Sequence, residues 1–342
     1  MMSILFGLFF LLAWNSSLPA QTPFYNGKMI TLVVGTSAGG LYDRYARLIA
    51  EHWSKHIPGN PTFVVQNMPG AGSLIAANHV YGVAKPDGLT IGSIVPAIYF
   101  NQLAGQKEVR FDYPKFNWIG SVDRSDNLIY IRSDTPFKTI HEVRRATQPP
   151  KCSATGTGTV GHYTPMLINE TIGTKFELVL GYPGAPEMDL AVEKNETQCR
   201  ALSVVSWFSG EPYQTWRTNG FAHVLIQTGK KRDERLPQVP TLNELMDEFK
   251  TEEIGRRLAT VVLASGELGR PYLLPPGISA ERLKTLREGF VKMMADPRFL
   301  DDAKKRNLEL EPSTGEELEK IAKEVMAQPP EVIERMKKLL GK

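Results

Sequence analysis

The sequence predicts an α/β protein with two lobes, in which parallel strands are flanked by helices. Short apolar stretches rich in β-branched residues alternate with amphipathic stretches of helical length, and this alternation indicates parallel sheets. After residue 122 a second series of the same kind begins. We therefore expect lobe 1 to comprise residues 21–122 and 230–342, and lobe 2, residues 123–229, to be inserted in it.

The first series opens with the continuous β-branched stretch 30–34, which is typical of a strand buried on both faces. A glycine-rich turn follows at 35–40, and the apolar residues beyond it then fall on one helical face. The same order of strand, turn and helix repeats and ends in a third strand. The predicted elements are strand 30–34, helix 41–56, strand 62–65, helix 73–83 and strand 89–94.

The second series follows a polar and aromatic stretch at 106–117, which we interpret as a loop. An apolar strand at 128–131 opens it, and strands and helices alternate from there to residue 227. Beyond residue 230 we expect a mainly helical chain. The predicted elements are strand 151–155, helix 162–172, strand 176–180, helix 186–193, strands 200–205 and 224–227, and helices 280–296 and 315–327.

The composition is that of a globular protein and argues against two classes of partner. Of the 342 residues, 42% are hydrophobic and 23% are charged, and the formal net charge is only +3. No run of lysine and arginine marks a patch for nucleic acid or a membrane surface, so we expect neither partner. We expect the protein to be a monomer.

The first twenty residues predict export. Residues 4–12 form an apolar core that is followed by Pro19 and Ala20, a combination typical of a signal peptide, residues 1–20. No lysine or arginine precedes this core, so an uncleaved anchor is the alternative. Charges, proline or glycine interrupt every later apolar stretch, and we expect the mature chain to be soluble and periplasmic.

Cys152 and Cys199 are the cysteines of the predicted mature chain. An oxidising compartment permits one disulfide between them, and each lies near a predicted strand. The sequence does not give the Cα separation that a disulfide requires. Two unpaired buried thiols are therefore an equal alternative.

The turn at residues 35–40 supports two interpretations. Gly35, Ser37 and Gly39 match the G-x-S-x-G pattern of serine hydrolases, so a secreted hydrolase using Ser37 is one hypothesis. That pattern normally follows several strands, whereas this turn follows the first strand of the mature chain. We favour an anion site, because small residues at a helix start leave backbone N–H groups and the helix dipole available to an anion.

The turn at residues 155–161 also has two interpretations. Gly156, Gly158 and Gly161 match the G-x-G-x-x-G pattern of dinucleotide sites. The acidic residue that should end the next strand is missing, since Glu177 lies inside that strand. We therefore expect no nucleotide cofactor and favour a second anion-binding helix start, surrounded by threonine hydroxyls.

A third glycine-rich turn, at 67–73, is by itself an ordinary connection in which Ser73 caps the next helix. In open α/β sheets, ligands bind beyond the carboxyl ends of the strands, which is where all three turns must lie. Together the three turns predict an anion site.

Other residues give weaker signals. His52 and His56 are one helical turn apart, but no third ligand is evident, so we expect a solvated helix face and no metal site. We expect Trp207, Phe208 and Tyr213 to pack in the core or at a hinge.

Seven motifs in order along the mature chain resemble those of the periplasmic receptors of tripartite tricarboxylate transporters, the Bug-type binding proteins. They are residues 30–47 (P-A-G-G-x-x-D-x-x-A-R in the family), 67–72 (N-x-P-G-A-G-G), 86–88 (P-D-G-Y), 155–162 (S-x-G-x-G-x-x-x-H), 181–184 (P-Y-K-G), and 231–232 with 236–244 (K-R and L-P-D-V-P-T-x-x-E). Two departures bear on the ligand. Thr36 and Ser37 replace an aromatic residue and proline, and residues 181–184 lack the lysine.

The resemblance implies a type II periplasmic binding protein fold with a ligand cleft between two α/β lobes. It implies hinge closure on a small carboxylate held mainly by backbone amides, delivery to membrane permease subunits, and no enzymatic activity. A ligand-sensing subunit of a membrane receptor has the same fold and is an alternative. The expected ligand contacts are Thr36, Ser37, Ala38, Gly39, Gly40, Gly70, Ala71, Gly72, Ser73, Thr155, Gly156, Thr157, Gly158, Thr159, His162 and Tyr182.

Overall fold

Two separate β-sheets organise the chain. The computed structural model describes residues 22–340, so the predicted signal peptide lies outside the described residues. The strands are β1 (Met29–Val34), β2 (Thr62–Asn67), β3 (Thr90–Ser93), β4 (Asn117–Ser121), β5 (Asn127–Arg132), β6 (Lys151–Ala154), β7 (Glu177–Leu180), β8 (Cys199–Ser203), β9 (Ala222–Gln227), β10 (Pro271–Leu274) and β11 (Ser313–Thr314).

Helices cover both sheets, and none within residues 22–340 is long and apolar enough to cross a membrane. The helices are α1 (Leu41–His52), α2 (Leu74–Gly82), α3 (Tyr99–Leu103), α4 (Ile140–Arg145), α5 (Val160–Ile172), α6 (Ala185–Glu193), α7 (Val204–Phe208), α8 (Tyr213–Asn219), α9 (Leu242–Glu248), α10 (Glu253–Leu268), α11 (Ala280–Met294), α12 (Pro297–Lys305), α13 (Gly315–Met326) and α14 (Pro330–Leu339).

The first sheet has the strand order β11-β4-β10-β3-β1-β2, and the second has the order β7-β6-β8-β5-β9. In the first sheet β1 is parallel to β2 and β3, while β10 is antiparallel to β3 and β4. In the second, β6 is parallel to β7 and β8, and β5 is antiparallel to β8 and β9. The predicted α/β fold with two lobes is confirmed.

Two parts of the chain differ from the prediction. Residues 204–205, predicted as the end of a strand, instead begin α7, because the Ser203 hydroxyl accepts the Ser206 N–H and caps that helix. Strand β10 lies inside the first sheet, in a region that the sequence predicts to be mainly helical. All four of its residues are buried, and so short an apolar stretch shows no period.

The stretch between β9 and β10 contacts both sheets. Gln227 pairs with Thr241, and its side-chain amide donates to the carbonyls of Leu236 and Val239, which belong to the apolar core of the second sheet. Helix α10 then packs on α5 of the second sheet and on α13, which covers the first. The lobe boundaries at 122 and 230 stay a prediction.

The two chain connections between the sheets are fixed to each other. Gly269 has φ +59°, and a methyl group built on it would lie 1.7 Å from the Asp123 carbonyl oxygen, so only glycine fits there. The next residue, Arg270, forms an ion pair with Asp123, and both side chains are buried. Its guanidinium also lies 3.4 Å from the Ser203 hydroxyl of the second sheet. These contacts join the two lobes at one place.

Cys152 and Cys199 lie opposite each other on the parallel strands β6 and β8. Their Cα atoms are 4.4 Å apart, and the two side chains form a disulfide. The pairing, which the sequence leaves open, ties together two of the strands whose ends carry the second lobe's turns.

Candidate functional site

The turns that follow parallel strands of the two lobes come together. Turns 35–40 and 68–73 follow β1 and β2, and turn 155–159 follows β6 in the opposite lobe. A methyl group built on Gly72 would lie 3.9 Å from both the Thr157 carbonyl oxygen and the Thr159 methyl group. Turns 68–73 and 155–159 are therefore close together across the two lobes, and the Ser73 hydroxyl joins turn 68–73 to Gly35 at the start of turn 35–40. We call the space bordered by these three turns the cleft.

Turn 155–159 presents backbone donors that have no acceptor. The N–H groups of Gly156, Thr157, Gly158 and Thr159 donate to no group among residues 22–340. The Thr159 hydroxyl donates to the Gly156 carbonyl at 2.7 Å, which stabilises the turn and leaves the start of α5 without a side-chain cap. The turn therefore exposes a set of N–H groups at a helix start, the arrangement that stabilises an anion.

Turn 35–40 has fewer unsatisfied N–H groups than the sequence suggests. The Gly35 N–H donates to the Ser93 carbonyl at 2.9 Å, and the Gly39 N–H donates to the Asp43 carboxylate at 2.8 Å. The N–H groups of Thr36, Ser37, Ala38 and Gly40 have no acceptor in the described part of the chain. These four are the donors left for a ligand.

Asp43 holds turn 35–40 in shape. Besides the Gly39 N–H, its buried carboxylate accepts the Arg47 guanidinium at 2.9 Å and the Asn67 amide at 3.0 Å. The Asn67 amide also donates to the Thr36 carbonyl at 3.0 Å. Burial by itself raises the pKa of Asp43, but the hydrogen bonds from Arg47, Gly39 and Asn67 bring the pKa below its ordinary value.

Turn 68–73 adopts left-handed backbone conformations, which residues other than glycine disfavour. Residues 70–73 all have positive φ, including two that are not glycine: Ala71 at +46° and Ser73 at +77°. The buried Ser73 hydroxyl donates to the Gly35 carbonyl at 2.9 Å and accepts the Val95 N–H at 3.2 Å. Ser73 thus ties this turn to the ends of β1 and β3, and its side chain is not free to bind a ligand. Strain of this kind persists only where the surroundings enforce it.

His162 lies in the first turn of α5 and is only 5% exposed. Its Nδ1 atom has no hydrogen-bond partner within residues 22–340. Burial lowers the pKa of His162, so its imidazole is uncharged at neutral pH. The glycine at the nearby position 161 is explained by close packing, because a methyl group there would lie 3.1 Å from the Ala154 side chain.

Tyr182 follows the neighbouring strand β7 at the same edge of the second sheet. Its N–H donates to the Ala154 carbonyl at 3.4 Å, which connects it to the strand before turn 155–159. Its side chain is partly exposed, and burial, assisted by Glu196, raises the pKa of its hydroxyl. The structure therefore places Tyr182 beside turn 155–159.

The hydrolase hypothesis for Ser37 gains no support. Ser37 is exposed, and its hydroxyl makes no hydrogen bond to a histidine or an aspartate in the described residues. The G-x-S-x-G match reflects small residues in a turn.

The expectation of a solvated face at His52 and His56 is wrong. His52 is buried and contacts Asp302 at 2.9 Å, while His56 contacts Asp296 at 3.1 Å. The two histidines therefore fix α1 and the turn after it to the region of α12. The Arg306 guanidinium lies 3.3 Å from the Asp302 carboxylate and is a cation that balances its charge.

The predicted packing role of the aromatic residues is confirmed for Trp207 and Tyr213. Trp207 stacks on Tyr130 with ring centroids 5.1 Å apart, and Tyr213 lies in the same buried cluster of the second sheet. Phe208 is partly exposed and lies between the guanidinium groups of Arg217 and Arg235.

The structure also brings Asn101 to the cleft, a residue that the sequence prediction omits. A methyl group built on Gly158 would lie 3.4 Å from the Asn101 side-chain oxygen. No pattern in the apolar stretch around Asn101 indicates a site residue, because the place of Asn101 depends on how the two lobes pack.

Replacing Ser73 by alanine should destabilise the protein by about 1–3 kcal/mol, because it leaves the Gly35 carbonyl and the Val95 N–H unsatisfied. The exposed Ser37 is the matched control, and Ser37→Ala should change the free energy of unfolding by less than about 0.5 kcal/mol. Urea unfolding measures both. Equal effects of the two substitutions would contradict the assignment of Ser73 to turn support.

Asp43→Asn should lower the free energy of unfolding at pH 7 by about 1–3 kcal/mol, since it weakens hydrogen bonds to a charged group. The pKa of Asp43 is lowered by folding, so its contribution is present above its ordinary pKa and is lost as the pH falls through the folded value. The difference between wild type and variant should therefore shrink below about pH 4. Urea unfolding at pH 7 and pH 3 tests this, and a constant difference would disprove it.

Comparison with known proteins gives the family. A family model described as the tripartite tricarboxylate transporter family receptor matches residues 45–338. That match covers most of the chain, including every turn that bounds the cleft except 35–40.

Solved structures of similar proteins share the fold over nearly the whole chain. The periplasmic binding protein BugD has a TM-score of 0.68 and 23% identity, covering 92% of this chain and 98% of that chain. MatC from Rhodopseudomonas palustris with bound malate has a TM-score of 0.66 and 17% identity, covering 92% and 99%. R. palustris Rpa4515 with adipate has a TM-score of 0.67 and 19% identity, covering 92% and 97%. The chain belongs to the receptor family of tripartite tricarboxylate transporters.

Proposed function

We propose that the protein is a periplasmic solute-binding receptor that closes on a small carboxylate and delivers it to the membrane subunits of a tripartite transporter. One observation carries the proposal: turn 155–159 of one lobe, whose backbone N–H groups are unsatisfied, lies against turn 68–73 of the other lobe, and Ser73 joins turn 68–73 to Gly35 at the start of turn 35–40. Uncapped starts also occur at α10 and α14, so the convergence of the turns, more than the missing caps, indicates an anion site.

The chemistry of binding follows from these donors. A carboxylate oxygen accepts N–H groups from turn 35–40 or turn 155–159, and the positive ends of the α1 and α5 dipoles stabilise its charge. The turns contribute no lysine or arginine side chain, and Arg47, the cation next to them, is paired with Asp43. Recognition therefore relies on the carboxylate geometry more than on a charged side chain.

Closure follows from a ligand that contacts both lobes. A ligand bound to the donors of both turns has more contacts when the lobes are together, so it shifts the population towards the closed state. Both chain connections between the sheets lie near the buried Asp123–Arg270 pair, and we therefore propose that the hinge is located there.

The class of ligand is a small acid with one to three carboxylates. Malate and adipate, the acids bound to the similar structures, are both dicarboxylates but differ in length. This chain has Thr36 and Ser37 in turn 35–40 and no lysine in residues 181–184. The acid that it prefers therefore depends on the residues that line its own cleft. Family membership supports export, an absence of enzymatic activity and a membrane partner.

Thermal unfolding of the mature protein, from residue 21, tests the proposal. We expect malate, adipate or citrate at millimolar concentration to raise the melting temperature, because a ligand at one hundred times its Kd adds about 2.7 kcal/mol. Adipamide, which has the length of adipate without its charges, is the control and should have no effect. Stabilisation by the diamide as well, or turnover of an ester that depends on Ser37, would contradict the proposal.

A further inference from the structure

We propose that the side-chain amide of Asn101 contacts the ligand directly and helps to determine which acid is bound. The inference rests on the proposed function and extends it to a residue outside the three turns. It comes from two observations: this amide has no partner in the protein, and it lies against the turn of the opposite lobe.

Asn101 is mostly buried, but its side-chain amide has no hydrogen-bond partner within residues 22–340 and stays accessible to solvent. The residue is 8% exposed, yet its side chain makes no hydrogen bond to any group within residues 22–340. Two other asparagines show the usual behaviour. The Asn127 amide donates to the Tyr163 hydroxyl at 3.3 Å, and the Asn169 amide donates to the Phe176 carbonyl at 2.9 Å. Neither polar atom of the Asn101 amide is fully buried, so water can solvate both, and the amide stays open to a ligand.

The neighbours of Asn101 hold it in place. The Tyr99 hydroxyl donates to the Val261 carbonyl at 2.6 Å, and the Gln102 side-chain oxygen accepts the Tyr113 N–H at 2.7 Å. Phe100 is buried with its ring centroid 5.4 Å from that of Tyr163. Helix α3 is thus fixed on both sides of Asn101, and this fixed position suits a residue that recognises a ligand.

The side chain of Asn101 lies next to Gly158 of the opposite lobe. The Asn101 oxygen would lie 3.4 Å from a methyl group on Gly158, a residue whose φ of +79° also favours glycine. Asn101 belongs to lobe 1 and Gly158 to lobe 2, so the amide lies where the two lobes meet. A ligand bound to the free N–H groups of turn 155–159 is within its reach.

The chemistry of the amide indicates what it recognises. A side-chain amide offers two N–H donors and one carbonyl acceptor. The donors suit a carboxylate oxygen, and the acceptor suits a hydroxyl on the same acid. The amide is neutral, so it discriminates by geometry and adds no attraction for charge as such.

The substitution Asn101→Leu separates a ligand role from a structural one. Leucine has the same branched shape and the same number of side-chain heavy atoms without the polar atoms, so without ligand the variant should be at least as stable as wild type. Its Kd for whichever of malate, adipate and citrate binds wild type most tightly should rise at least tenfold. Asn101→Asp should weaken binding further, because it brings a negative charge towards a carboxylate.

Asn169→Leu is the matched control. Asn169 makes three hydrogen bonds, to Thr174 and to the N–H and carbonyl of Phe176, away from the cleft. This variant should be less stable and should keep the wild-type Kd. Urea unfolding without ligand and calorimetric titration with each acid give the two readouts for all variants.

Two results would overturn the inference: a lower stability of Asn101→Leu without ligand, or an unchanged stability with a Kd within twofold of wild type. If wild type binds none of the three acids, the proposed function fails for them. The unfolding measurement then still tests the inference, because a lower stability of Asn101→Leu shows that the amide serves the fold and excludes a ligand role.

Discussion

Parallel strands bring every following turn to the same edge of a sheet, and the candidate site depends on this constraint. In the first lobe, β1, β2 and β3 place turns 35–40 and 68–73 and helix α3 at one edge. In the second lobe, β6 and β7 do the same for turn 155–159 and Tyr182. Because the two edges meet, short glycine-rich turns that are far apart in sequence can surround one small anion.

The rigidity of this arrangement comes from buried polar groups outside the ligand's reach. The Asp123–Arg270 pair joins the connections between the lobes, and Asp43 and Ser73 each hold two chain segments together. A buried ion pair is weak support for stability by itself, because desolvation offsets much of the attraction. Its value here is positional, since the pair fixes the two connections between the sheets to each other. The turns are then strained but well defined, which suits a site made of backbone donors.

Much of the fold could be predicted from local patterns in the sequence. The strand at residues 30–34 and the helix that follows residue 40 have clear patterns, and the glycine-rich turns mark the strand ends. The four residues of β10 could not be predicted, because their place in the sheet depends on partners more than 140 residues away. The position of the Asn101 amide beside Gly158 and the pairing of Arg270 with Asp123 bring together residues that are far apart in sequence, so no local pattern predicts them. The positions of the turns at the strand ends were predictable, and their ligand-binding role stays a prediction. Ser73, expected to contact the ligand, is taken up by the support of its turn.

Amide hydrogen exchange of the mature protein, with and without a saturating dicarboxylate, tests the central claim most directly. We predict that the ligand slows exchange in residues 36–40 and in residues 156–159 together, because one anion contacts both helix starts and closes the lobes. Slower exchange in only one of these turns, or in neither while the acid is bound, would contradict a ligand site built from the backbone donors of both lobes.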